Sequence, residues 1–315
     1  MKGIKVKDFA LFQKYIAVIA FVLLIIFNCF FTENFMSKVT FINLMIQSSK
    51  VILVSLGMTL VIATSGIDIS VGSAMSLGAT ISAIFLSKNM PAGILISLIV
   101  VLAMGWLAGI LVSKFVILPM VVTLALRYIM RGMAKGISGR GTVSYNNQDL
   151  TQFFIHRVGD IFPIHFFIIL IAAIVVYLLV NKMKFGLKVE SYGNNPVATR
   201  NVGINTIKTV SACYVIAAFF SWCSGQLDMV MVSSADPATI GSDMDLDAIA
   251  AVLVGGTPIT GGYPNVIGSV FGALILQLVT MMCNMNNIPY SVSLIIKACI
   301  IVFALFFHGL GKNKR

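Results

Sequence analysis

Val61-Ile62-Ala63-Thr64-Ser65-Gly66-Ile67-Asp68-Ile69-Ser70-Val71-Gly72-Ser73 is the stretch on which the fold turns. It closes an apolar run that begins near residue 41 and opens another that reaches residue 86. Between them lie hydroxyls, a glycine and a carboxylate. An ionised carboxylate near the interior of a bilayer costs on the order of 2.5–3.5 kcal/mol on insertion scales, so Asp68 must be satisfied locally. One way is as N-cap of a helix starting at Ile69, accepting from the Ser70 or Val71 amide and offsetting the positive end of the helix dipole. A proton or cation site, or a ligand contact, is compatible with that cap. Backbone that leaves the helix at membrane depth is tolerated only where protein buries it or water fills a cavity.

A matching interruption stands in the second half, at Gly255-Gly256-Thr257-Pro258-Ile259-Thr260-Gly261-Gly262. Paired breaks, one in each half of the chain, point to a transport path. Similar runs follow the two breaks: Val71-Gly72-Ser73 with Gly78-Ala79, and Ile267-Gly268-Ser269 with Gly272-Ala273. The glycine spacing differs, so an internal repeat is only suggested, and small residues in such runs commonly serve close helix packing.

Outward from these breaks the whole chain is apolar. Of its 315 residues 58% are hydrophobic and 10% charged, with a mean hydropathy of +0.98, whereas soluble domains carry about 25% charged residues. Apolar runs fall near 15–31, 41–62, 70–86, 92–112, 117–137, 162–180, 209–231, 248–262, 264–284 and 291–308. At roughly 20 residues per span these predict an all-α integral membrane protein of about ten transmembrane helices with two broken or re-entrant segments. The predicted organisation is a tail over 1–14, one transmembrane domain over 15–308 with a long loop at 181–208, and a second tail over 309–315. The run from Tyr15 to Phe31 lacks a small-residue cleavage pattern and reads as a retained first span, not a secretory signal.

The net charge of +11 is spread in ones and twos, without the basic face that nucleic-acid binding requires. It reads instead as topology. With a cytoplasmic amino terminus, Lys2, Lys5, Lys7, Lys14, Lys114, Lys182, Lys184, Lys188, Arg200, Lys208, Lys312, Lys314 and Arg315 fall inside, and only Lys38, Lys88, Arg140 and Arg157 outside. The positive-inside rule therefore predicts both termini in the cytoplasm. The five cysteines all lie in apolar stretches, with no CxxC pair and no histidine placed to complete a metal site. No metal centre is expected.

Several charged residues fall within the spans. Arg127, Arg131 and Lys135 are spaced by four and form one cationic stripe on a helix. That stripe is either a hydrated wall of the path or a set of side chains snorkelling to the interface. Asp228 and Lys297 lie near outer ends of spans, where interfacial water can reach them. In the 181–208 loop, Asn195 and Pro196 read as N-cap and first residue of a short helix suited to docking a cytoplasmic partner.

Taken together, Leu56-Gly57-Met58-Thr59-Leu60-Val61-Ile62 and Ser65-Gly66-Ile67-Asp68-Ile69-Ser70-Val71-Gly72-Ser73 resemble the signature of permease subunits from ribose, xylose and galactose-type ABC importers. Gly193-Asn194-Asn195-Pro196 with Ala198, Arg200 and Gly203 is similar to the family's ATPase-coupling loop. Leu246-Asp247-Ala248-Ile249-Ala250-Ala251-Val252, running on to Gly255-Gly256-Thr257 and Gly261-Gly262, resembles its second-half motif. Val197 and Thr199 depart from the usual loop, as does Tyr263-Pro264-Asn265 from the usual second break.

The resemblance implies a pore-forming subunit that is not itself an enzyme. It implies as partners a cytoplasmic ABC ATPase, an extracytoplasmic sugar-binding protein and a second permease copy or homologue, all at the bacterial cytoplasmic membrane. No GxxxxGK[ST] pattern is present, so no cofactor is expected on this chain and ATP-Mg would be held by the ATPase. The path would be formed at the two breaks by Thr64, Ser65, Gly66, Asp68, Ser70, Gly255, Gly256, Thr257, Gly261 and Gly262, with Arg127 and Arg131. An outer loop with Asp236, Asp243, Asp245 and Asp247 would meet the binding protein. Rival readings are an ion-coupled secondary transporter titrating at Asp68, Asp228 or Lys297, and an ABC permease for a furanose-type signal, a nucleoside or a branched-chain amino acid.

Overall fold

The computed structural model describes residues 6–88 and 90–312; Lys2, Lys5, Lys314 and Arg315, which enter the terminal charge count, lie outside them. The helices are α1 (Val6–Phe31), α2 (Lys38–Ala63), α3 (Val71–Leu86), α4 (Ala92–Ser113), α5 (Pro119–Ile137), α6 (Gln148–Ile155), α7 (Ile164–Asn181), α8 (Lys184–Asn194), α9 (Pro196–Asn201), α10 (Thr206–Val232), α11 (Met244–Val254), α12 (Val266–Met285) and α13 (Tyr290–Lys312). Of these, α2, α4, α7, α10 and α12 are long and apolar enough to cross a membrane, and the chain is a multi-pass membrane protein.

The bundle is built around α2 and α10. Most of the second half of α2 is buried, from Val51 to Ala63, whereas α4 and α7 turn Leu95, Ile99, Trp106, Ile171 and Ile174 outward as a lipid-facing surface. Without a hydrophobic drive between helices in lipid, close backbone approach through small residues supplies much of the packing. A Cβ built on Gly57 of α2 would stand 2.6 Å from Ala217 Cα of α10, and one on Gly225 of α10 would stand 2.5 Å from the Met75 carbonyl of α3.

Helix α7 separates two ends of the bundle. At one end lie α6 and two short antiparallel pairings, Val143–Ser144 with Ser234–Ala235 and Arg157–Val158 with Phe162–Pro163. At the other lie α8 and α9, and the break after α2 is found there too.

The eighth predicted span differs from the structure. The apolar run places it at 248–262, but α11 covers only Met244–Val254, about 16 Å of rise against a hydrocarbon core of about 30 Å. The stretch before it, from Asp236 to Asp243, is non-helical and packs along α3, where Ser76 Oγ donates to the Pro237 carbonyl at 3.0 Å. Sequence reading assigns the aspartates at 236–247 to an outer loop that meets the binding protein. The fold instead supplies partners for two of them, so the charged first turn of α11 sits within the bundle.

Candidate functional site

The two breaks and the loop at 181–208 converge on one junction. Helix α2 ends as the Thr64 Oγ1 turns back to donate to the Val61 carbonyl at 2.7 Å. Ser65 then adopts a left-handed backbone, φ 59°, and its Oγ donates to the Thr260 carbonyl at 2.8 Å and reaches the Gly193 carbonyl at 3.5 Å. The Gly262 amide donates to the Ala63 carbonyl at 2.9 Å. Asn194 Nδ2 donates to the Gly262 carbonyl at 3.4 Å and to Glu190 at 2.9 Å. Gly261 and Gly262 both have positive φ, 82° and 94°, which only glycine adopts freely.

From this junction α8 leads into α9. Asn195 caps α9, accepting from the Ala198 amide at 2.9 Å, with Pro196 in the first turn, as the Asn-Pro spacing predicts. Arg200 lies in its last turn, and Gly203, φ 82°, closes the turn beyond it. Val197 and Val202 are exposed, an apolar tip flanked by Arg200. Burial pushes the Tyr192 phenol of α8 above its usual range, so it packs as a neutral group.

Asp68 is 3% exposed. Its Oδ1 accepts from the Ser70 amide at 2.8 Å and the Ser70 hydroxyl at 2.6 Å, but the helix begins at Val71 with Ser70 at the cap position. Asp68 is therefore a turn-forming residue ahead of α3 and does not occupy the N-cap, a correction to the expected start at Ile69. With Ser70, Gly105, Met130 and Ser221 it lines a small void of about 10 Å³, about the room of a single water. Thr123 Oγ1 of α5 reaches the adjacent Ile67 carbonyl at 3.2 Å.

The second break is organised by Asn265, which the sequence reading names only within a departure from the family pattern. Its amide donates to Thr257 Oγ1 at 3.0 Å, its Nδ2 to the Gly255 carbonyl at 2.8 Å, and its Oδ1 accepts from the Gly268 amide at 3.1 Å. One side chain thus caps α12 and holds the end of α11. An asparagine directly before an apolar run is the signal that could have found it. Gly256 has φ 89°. Gly268 and Gly272 allow α12 to lie against the carbonyls of Gly255 and Ala251, and Gly72 likewise meets Gly241, so the similar runs after each break serve close packing.

Four of the cations within the spans, Lys50, Arg127, Arg131 and Lys297, bond protein groups, whereas Lys135 is exposed; the linear pattern does not reveal this. Arg127 of α5 makes an ion pair with Asp245 of α11. Arg131 Nη1 donates to the carbonyls of Pro237 and Ile240 at 2.8 and 2.7 Å. Lys297 of α13 bonds both oxygens of Asp247 at 2.9 and 3.0 Å, and Lys50 of α2 bonds Asp228 of α10 at 2.7 Å. The Arg127–Arg131 stripe therefore holds protein groups. Lys297 is buried and does not snorkel, and Asp228 is neutralised by a cation.

Nor do the four carboxylates of the proposed docking loop form one surface. Asp245 is 2% exposed and Asp247 is held by Lys297. Asp236 Oδ1 accepts from the Ala238 amide at 2.8 Å, and Asp243 is exposed.

Comparison with known proteins agrees with this architecture. Residues 40–305 match the family described as branched-chain amino acid transport system / permease component. The fructose import permease protein FruF of Bifidobacterium longum is 32% identical over 95% of this chain and 90% of its own. The galactofuranose transporter permease protein YtfT of Escherichia coli is 33% identical over 85% and 79%. The ribose import permease protein RbsC of Escherichia coli is 30% identical over 92% and 91%. No solved structure matches the chain. With the match running through both breaks and the α8–α9 segment, the chain belongs to the permease-component family of branched-chain amino acid transport systems.

Proposed function

We propose that the chain is the pore-forming subunit of an ABC importer that carries a monosaccharide into the cytoplasm by ATP-driven alternating access. The observation that carries this reading is the junction at Gly193. The ends of two broken helices, one from each half of the bundle, hydrogen-bond to each other and to the C-terminal end of α8. A push on α8 and α9 therefore acts directly on both breaks. The named relatives, permeases for fructose, galactofuranose and ribose, support a monosaccharide as the cargo.

In this reading the bundle crosses the cytoplasmic membrane of a bacterium, with both termini and α8–α9 on the cytoplasmic side, where the positive charges cluster. A separate ABC ATPase docks on the tip made by Val197, Arg200 and Val202 and supplies ATP-Mg. A sugar-binding protein approaches the α6 end. A second copy or homologous permease completes the pore. Thr64, Ser65, Gly66, Asp68 and Ser70 of the first break, and Gly255, Gly256, Thr257, Gly261 and Gly262 of the second, form the moving inner part of the path.

The test is co-elution of the partner ATPase with the chain in lipid nanodiscs. Wild type retains the ATPase, and Val197→Asp, which places a carboxylate on an apolar tip, loses it. Equal retention by both would remove α9 as the docking element.

A further inference from the structure

A buried tyrosine hydroxyl ordinarily finds a hydrogen-bond partner. That of Tyr145, in the segment between α5 and α6, does not. The residue is 6% exposed and belongs to the apolar cluster that includes Met229, Val230 and Ala235, yet its hydroxyl bonds no group among the described residues. Thr151 stands near it, but the Thr151 hydroxyl is engaged with the Asn147 carbonyl at 3.2 Å and the Ser233 hydroxyl at 3.3 Å. Burial holds the Tyr145 phenol above its usual range, against a lesser opposing pull from Thr151, so it is neutral and able both to donate and to accept.

Tyr145 lines a cavity of about 170 Å³, whose wall is completed by Asn146, Asn147, Thr151, Gln152 and Ser233. One water needs about 10–15 Å³, so the space admits a small organic molecule. Its frame is fixed by hydrogen bonds. Val143–Ser144 pairs with Ser234–Ala235, the Tyr145 amide donates to the Ser233 carbonyl at 3.2 Å, and Ser233 holds a left-handed turn, φ 50°, at the end of α10. Asn147 Oδ1 caps α6, accepting from the Leu150 amide at 3.0 Å. No lining residue carries a charge. Asn147 Nδ2 and the side-chain amides of Asn146 and Gln152 make no hydrogen bond among the described residues. The cavity is therefore preformed, uncharged and walled by polar groups whose bonding capacity is unused.

We propose that this cavity, at the α6 end of the bundle, binds a neutral monosaccharide, with the Tyr145 hydroxyl and the amides of Asn146, Asn147 and Gln152 bonding the sugar hydroxyls. This rests on the sugar-importer reading, which puts the α6 end on the side from which the sugar arrives. Phenol and amide groups each offer a donor and an acceptor, as a sugar hydroxyl does. An ionised ligand would find no opposite charge here, and an apolar one would leave the Tyr145 hydroxyl and the amides unpaired. Asn146 and Gln152 are exposed, so the cavity opens to water and its bonds compete with solvent. The affinity is accordingly weak, in the millimolar range, as suits a site that must release its sugar onward.

The experiment places the full chain in lipid nanodiscs, without binding protein, and reads saturation-transfer NMR of ribose, fructose, galactose and their deoxy analogues, together with the Tm of the sugar-free chain. Wild type is compared with Tyr145→Phe, which keeps the ring in its cluster, and with Gln152→Leu at an exposed position. At least one of the sugars should bind wild type, and each variant should bind it about fivefold more weakly, the effect of one neutral hydrogen bond. The sugar-free Tm of Tyr145→Phe should equal or exceed that of wild type, because the hydroxyl it removes has no partner. Binding of none of these sugars to wild type would overturn the proposal, as would equal binding by wild type and both variants. A lower sugar-free Tm in Tyr145→Phe would also overturn it, by showing that the phenol already serves a bond within the chain. So would a variant that leaves sugar binding unchanged but raises the concentration of loaded binding protein that half-stimulates ATP hydrolysis in the complete system, since the cavity would then receive a side chain of that protein. Failure of the importer reading is separately visible, as absence of sugar uptake by wild type in proteoliposomes with ATPase and binding protein present.

Discussion

Gly193 of α8 and Ala63 of α2 are in direct backbone contact: a Cβ at Gly193 would overlap the Ala63 carbonyl and the Gly262 amide that bonds it. The contact joins the segment proposed to receive the ATPase stroke to both helix breaks at one point. Gly193→Ala must push these backbones apart. We expect uptake to fall by at least about tenfold, equivalent to about 1.4 kcal/mol at the junction. Basal ATP hydrolysis by the docked ATPase should persist, because α9 and its exposed tip are untouched. Parallel uptake and hydrolysis assays check this; equal loss of both would mean that the substitution simply dislodges the ATPase.

The ion pair between Arg127 and Asp245 gives a stability prediction. Removing the partner of a buried carboxylate is strongly destabilising, whereas replacing both members by apolar residues is often neutral. Because Arg127 is partly exposed and solvent relieves some of the loss, Arg127→Met should cost about 2–3 kcal/mol. The double variant Arg127→Met with Asp245→Leu should recover most of that. Thermal unfolding in detergent reads the difference, and additive losses would show that the two side chains are not coupled.

Glycine packing can be tested by contrast. Gly57→Val drives a side chain into α10 and should destabilise the bundle by about 1–3 kcal/mol through overpacking. Gly132→Val on α5 introduces its Cβ where nothing lies within 4 Å and should leave the Tm of the single chain unchanged. A similar drop for both would contradict contact with α10 as the cause, since helix propensity favours valine over glycine at either site.

Asn265→Ala removes a helix cap and the donor to the Gly255 carbonyl together. A lost cap costs about 1 kcal/mol, and the orphaned backbone groups add to it. Asn265→Asp keeps the capping oxygen and should retain part of the stability, although it loses the donor to Gly255. Equal Tm values for wild type and Asn265→Ala would contradict the assigned role.

The five long spans and both breaks are legible in the sequence because they depend on local composition: apolar runs about one membrane thick, interrupted by glycine, proline and hydroxyls. The α9 start is legible for the same reason, since Asn195 and Pro196 act on their own helix. The charge partners are not. Lys50 and Asp228 are 178 residues apart, and Arg127 and Asp245 are 118 apart, so no periodicity can pair them. The reading of 236–247 as an outer docking loop misses the pairing for that reason: Asp245 and Asp247 look like surface charges until Arg127 and Lys297 are brought to them by α5 and α13. Asp68 is intermediate. Its tie to Ser70 is local and foreseeable, but the helix starts at Val71, two residues beyond the expected Ile69, where α3 packs against Gly241.

The central claim is that the chain conducts a sugar only under the control of an ATPase acting through α8 and α9. The most direct test is uptake of radiolabelled pentoses and hexoses into proteoliposomes holding the chain, its ATPase and a matching binding protein, with each component omitted in turn. Uptake that requires ATP and all three components is the predicted result. Uptake by the chain alone, driven by a proton gradient and abolished by Asp68→Asn, would contradict the account and make Asp68 the coupling site of a secondary transporter.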